Sequence, residues 1–114
     1  MESLEVAQKS VEAASEKQAG DIVLLDVRGI CGFTDFLVIC SGESARQLQS
    51  IYDEIEHVLK REGVMPLQSE GTMDSGWMLL DYGDVIVHIF SPEVREFYKL
   101  DRMWSNARPL LSIQ

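Results

Sequence analysis

An α+β fold, with helices packed on a mixed five-stranded sheet, is what this sequence predicts. Strand-forming runs at 77–81 and 84–90 flank Tyr82-Gly83, and a two-residue connection ending in glycine marks a hairpin. A long helical periodicity from Ser44 to Glu62 separates that hairpin from an earlier pair of apolar runs. Ser91-Pro92-Glu93 then opens a closing helix: a capping hydroxyl, proline at the first helical position and an acid beside the positive end of the dipole.

Taken in order, residues 2–19 read as a helix with Ser3 as cap. Leu4, Ala7, Val11 and Ala14 fall on one side, and Gly20 closes it in a left-handed conformation. DIVLLDV, 21–27, is apolar on both alternating sets except at Asp26, as a strand covered from two sides is. The carboxylate of Asp26 is better explained by pairing with Arg28 or by backbone donors than by a catalytic role. A turn at 29–32 leads to a second strand, 36–40, hairpinned to the first. Ser44 caps the long helix, whose inner face carries Leu48, Ile51, Tyr52, Ile55, Val58 and Leu59, and Gly63 ends it. Residues 64–68 read as a third strand, placed at an edge by Pro66 and parallel to 36–40 because a helix connects them. Residues 69–75 read as a polar loop. The closing helix carries Val94, Phe97, Tyr98 and Leu100, and Met103-Trp104 extends it.

With Tyr82-Gly83 as the loop, Asp81 pairs with Asp84, Leu79 with Ile86 and Trp77 with His88. Met78, Leu80, Val85, Val87 and Ile89 then form a wholly apolar face, which packs on the core. The other face mixes Trp77, Leu79, Asp81, Asp84, Ile86, His88 and Phe90. Aromatics interleaved with acids suit a surface that meets another molecule. A second layer of the same chain over that face is the competing reading.

The 114 residues suffice for one domain, 1–114, with a single core, and the composition is that of an ordinary globular chain. No apolar run approaches the roughly 20 residues a membrane helix needs. The amino terminus resembles neither a signal peptide nor a transit peptide, which places the chain in a bacterial cytoplasm. Nineteen acids against ten bases, a net charge of −9, argue against a direct grip on DNA or other nucleic acid and suit a basic protein partner. Cys31 and Cys40 are too few for a disulfide framework, and with His57 and His88 on other elements they predict no metal site.

A catalytic set is incomplete. Ser41-Gly42-Glu43-Ser44 lies between strand and helix, yet one glycine and no lysine make neither a P-loop nor a dinucleotide fingerprint. Asp81 and Asp84 flank a turn, where aspartates bind turn amides; Mg²⁺-dependent nucleotide handling by that pair is the alternative. His88 has no serine or cysteine beside it in register, so a binding contact suits it better than general-base work. No cofactor is predicted. An oligomeric scaffold, its mixed face meeting only itself, is a third possibility.

The block GWMLLDYGDVIVHIFSPEVREFYKLDRMW, with DIVLLDV and FTDFLVICSGESARQLQSI upstream, resembles the ribosomal silencing factors of the Iojap, or RsfS, family, over about 6–104. That resemblance implies a nucleotidyltransferase-like fold without catalytic residues. It further implies binding to the large ribosomal subunit through its ribosomal protein fourteen, obstruction of small-subunit docking, and lowered translation when nutrients are scarce. Carried over position by position, it assigns the partner contact to Trp77, Leu79, Asp81, Tyr82, His88, Glu96 and Tyr98. A homodimer of the free protein through the same face is also implied. The sequence departs from the family pattern at Gly32-Phe33, at Cys40, and at Val94, where an acid is common.

Overall fold

The computed structural model describes residues 1–114, apart from the side chain of residue 101. In chain order the elements are α1 (Ser3–Glu16), β1 (Gly20–Asp26), β2 (Phe36–Ser41), α2 (Ala45–Arg61), β3 (Gln68–Thr72), a 3-10 turn (Met73–Ser75), β4 (Trp77–Asp81), β5 (Val85–Phe90), α3 (Pro92–Tyr98), α4 (Leu100–Met103) and β6 (Arg108–Ile113). The sheet is mixed and six-stranded, in the order β3-β4-β5-β2-β1-β6. Its one parallel pair is β2 with β5; the other neighbours run antiparallel.

Helices α1 and α2 cover one face. Ile22, Leu24, Phe36, Val38, Cys40, Met78, Leu80, Val85, Val87 and Ile89 meet Val6, Ala7, Val11, Leu48, Ile51, Ile55 and Leu59 there in the larger core. The apolar face predicted for the hairpin is therefore the core face. On the opposite face a smaller cluster joins Leu25, Val27, Leu37, Ile39, Ile86 and Phe90 to Leu100 and Ala107 from the C-terminal segment. The chain thus supplies a second, incomplete layer of its own.

Several expectations are corrected. The sheet has six strands because β6 adds an edge beside β1. Its Leu110-Leu111 pair breaks alternation, matching a register irregularity between Leu24 and Leu25. The third strand is Gln68–Thr72, not 64–68, and it pairs antiparallel with β4. Every residue of β3 is exposed. An edge strand that no layer covers needs no apolar face, which is why a polar stretch expected to loop pairs instead.

The hairpin register is shifted by two. Tyr82 N–H donates to Val85 O at 2.8 Å, so the loop is Gly83-Asp84 and Trp77 stands opposite Phe90, Leu79 opposite His88. Gly83 has φ +89° and Asp84 does not share it, the pattern of a type II′ turn with glycine first. A shift of two preserves parity, so the division into two faces survives and only Asp84 leaves its face.

Helix α1 is capped by Glu2, reciprocally with Glu5, rather than by Ser3, and Leu4 is exposed. The left-handed residue after it is Gln18, not Gly20. The cap of α2 is Ser44, whose Oγ accepts from Gln47 N at 3.1 Å. Asp26 pairs with Arg28 as expected: the guanidinium donates to both carboxylate oxygens, at 3.0 and 2.7 Å. Those bonds hold the Asp26 carboxyl down at about 2.

Candidate functional site

The geometry of the open face follows from where α3 begins. Ser91 N–H donates to Gly76 O at 2.8 Å, joining the start of α3 to the start of β4. Gly76 has φ +77°, and a Cβ there would come within 2.8 Å of both Ser91 Oγ and Val94 Cγ2, so glycine permits this close junction. Ser91 Oγ accepts from Val94 N and Pro92 occupies the first turn, as predicted. Arg95 then fixes the helix over the sheet, its Nη1 donating to Asp21 O at 2.8 Å and to Ser41 Oγ at 2.9 Å. Lys99, at φ 52°, ends α3 and turns the chain so that Leu100 enters the smaller cluster.

This layer covers β1, β2 and β5, covers β4 only in part and leaves β3 exposed. Between its margin and the sheet edge lies an open groove of about 710 Å³. Trp77 and Leu79 form its floor, Val94, Phe97 and Tyr98 its wall, and Glu70 and Glu93 stand on its lips. Trp77 is half-buried, its ring 5.0 Å from Phe90 and 4.8 Å from Tyr98. The indole Nε1–H donates to His88 Nδ1 at 3.1 Å. His88 in turn stacks on Phe90, centroids 5.7 Å apart and planes 9° from parallel. Burial pulls its pKa down to about 4, so the imidazole is neutral at pH 7.

Of the seven residues expected to meet a partner, Trp77, Leu79 and Tyr98 gather in this groove. Asp81 shares their face at the far end of β4, with its carboxylate accepting from Gly83 N–H at 2.8 Å and Gln68 Nε2 at 3.2 Å. His88 faces the same way but lies partly buried beneath Trp77's hydrogen bond. Tyr82 falls on the other side of the sheet, against the larger core. Glu96 lines a separate hollow with Asp21 and Glu43, beyond the opposite flank of α3. Phe97, which the sequence reading did not assign to the contact, also lines the groove, 77% exposed and edge-on to Tyr98 at 5.0 Å. The signal was available: adjacent aromatics on a helix point about 100° apart and cannot both enter one core.

Among the described residues no cluster of three or more His, Cys, Asp or Glu is arranged to hold a metal. Cys40 is buried, which pushes its thiol up to about 12 and leaves it unreactive.

Aromatics flanked by two carboxylates, in a groove that the chain's own second layer leaves open, have the composition that suits protein docking. A family described as "Ribosomal silencing factor during starvation" matches residues 1–114, and the chain belongs to that family. It is 36% identical to the ribosomal silencing factor RsfS of Halalkalibacterium halodurans, over 94% of this chain and 92% of that one. It is 37% identical to the chloroplastic Iojap protein of Zea mays, over 96% of this chain and 47% of that longer one. Among solved structures, a Chromobacterium violaceum protein superposes with a TM-score of 0.88 at 30% identity, covering 100% of this chain and 95% of that one. No helix among the described residues is long and apolar enough to cross a membrane.

Proposed function

We propose that the protein acts as a single, non-catalytic domain that binds the large ribosomal subunit through its ribosomal protein fourteen and excludes the small subunit by volume. Translation falls as a result, which serves a bacterial cytoplasm short of nutrients. The fold is read as a nucleotidyltransferase-like frame without catalytic residues, turned to binding. The observation that carries this reading is the groove at Trp77, open on a face otherwise covered, in a chain of the silencing-factor family.

The physics suits that task. A docked indole removes about 150–250 Å² from water, and such an anchor typically accounts for 2 kcal/mol or more of binding. Glu70 and Glu93 on the lips, within a net charge of −9, favour a basic ribosomal surface and a fast encounter. Trp77, Leu79 and Tyr98 make the central contact, Asp81 a flanking one. The free protein pairs with itself through the same face, so subunit binding and self-association compete.

Co-sedimentation of the purified protein with isolated large subunits tests this. Retention at low salt is expected, with small-subunit joining suppressed, and Trp77→Ala should lower retention by about 30-fold while the circular dichroism spectrum stays native. Wild-type protein that remains at the top of the gradient at every salt concentration ends the proposal.

A further inference from the structure

We propose that His88 is a positioning residue: by accepting the Trp77 Nε1–H it fixes the indole in the groove, and it makes no contact of its own with the bound protein. The inference rests on the docking role of Trp77 proposed above and assigns His88 a different part in it.

Two strands place the pair. Trp77 and His88 share a face of β4 and β5, two positions out of direct register, which brings the indole nitrogen to 3.1 Å from Nδ1. Accepting there requires the Nδ1 lone pair, so the imidazole is neutral with its proton on Nε2. The ring is itself held: Phe90 lies parallel at 5.7 Å, Leu79 stands opposite on β4, and Ile39 adjoins on β2. The indole lies tilted against both Phe90 and Tyr98, contacts without directional hydrogen bonding, and the bond to His88 supplies the directional constraint on its orientation.

Recognition changes as a consequence. Nε1–H is the only hydrogen-bonding atom of a tryptophan side chain, and here it is spent inside the protein. A partner therefore gains nothing by offering the indole an acceptor; it must present an apolar or cationic group, the second favoured by Glu70 and Glu93.

His88→Phe keeps a ring on Phe90 and removes the acceptor, whereas His88→Asn keeps an acceptor near the Nδ1 position and removes the ring. Retention of the full-length variants on isolated large subunits should fall about tenfold for His88→Phe and stay within about threefold of wild type for His88→Asn. Equal loss in both variants would show the ring itself meeting the partner, and no loss in His88→Phe would show that the bond positions nothing; either overturns the inference. A second readout needs neither a partner nor any change at His88. The Trp77 indole N–H, distinguished from that of Trp104 by a Trp104→Phe control, should exchange slowly with solvent in the free protein. Exchange as fast as free indole overturns the inference even if the variants misfold. Wild-type protein that never binds subunits would instead defeat the docking role, while the exchange rate still decides the contact.

Discussion

The carbonyl oxygen of Trp77 occupies the space that a side chain on Gly71 would need. Gly71 pairs with Met78 across the β3–β4 ladder and holds φ +84°, so glycine is required there twice, once for conformation and once for room. Gly71→Ala should cost roughly 2 kcal/mol or more and loosen β3 from the sheet. Glu70 and the groove floor move with it. Chemical denaturation read beside subunit retention checks this, and binding should suffer more than stability because β3 is a terminal strand. An alanine variant with native stability and retention would mean the edge yields without consequence.

Phe97 and Glu96 are neighbours in sequence with opposite fates. Phe97 lies 77% exposed on the groove wall, whereas Glu96 faces the hollow beyond α3. Neither is buried, so alanine at either should change stability by less than about 0.5 kcal/mol. Phe97→Ala should nonetheless weaken retention on large subunits by about tenfold or more, and Glu96→Ala by no more than about twofold. The reverse order would move the docking surface to the other flank of α3.

These contrasts show what was legible in sequence. Alternation over 77–90 and the Ser91-Pro92 start sufficed to divide the hairpin faces and place α3, because local rules govern both. The inner face of α2 was readable for the same reason, since Leu48, Ile51, Ile55 and Leu59 are all buried. What escaped depended on tertiary context. Pairing of the polar β3 follows from its position at an edge, and β6 finds its register only beside β1. Glu96 and Tyr98, two apart on a helix, point about 200° from each other, so spacing already separates them; which of the two faces the groove depends on how Arg95 fixes α3 to Asp21 and Ser41, which spacing does not contain. Treating Tyr82 as a loop residue set it beside Asp81; the true loop, one residue on, returns it to the strand and to the core side.

Tyr82 therefore supplies a test of its own. Its hydroxyl is buried with no hydrogen-bond partner among the described residues, and burial, aided by Glu56 and Tyr52, pushes its pKa upward. Removing an unsatisfied buried hydroxyl is neutral or favourable. Tyr82→Phe should leave stability unchanged or raise it by about 1 kcal/mol, and subunit retention should stay at the wild-type level. A drop in retention at full stability would restore Tyr82 to the contact surface.

Acid should weaken the fold in two stages of the same sign. His88 has a folded value near 4 against 6.5 for the free side chain, so the unfolded chain holds more protons between those limits. Stability then rises with pH across that window, by up to about 1.4 kcal/mol per pH unit. Asp26, held near 2 by its Arg28 hydrogen bonds against an ordinary 3.8, is the usual carboxylate case: its contribution is present above 3.8 and lost as pH falls toward 2. Protonated Nδ1 has no lone pair left for the indole, so the upper stage should coincide with a change in Trp77 fluorescence. Urea denaturation from pH 7 to about pH 2, monitored in a Trp104→Phe background, measures both. His88→Asn should abolish the loss between about pH 6.5 and 4 and spare the lower stage, whereas Asp26→Asn should do the opposite. An upper stage that persists in His88→Asn would assign it to another group and leave the imidazole with no part in the stability of this face.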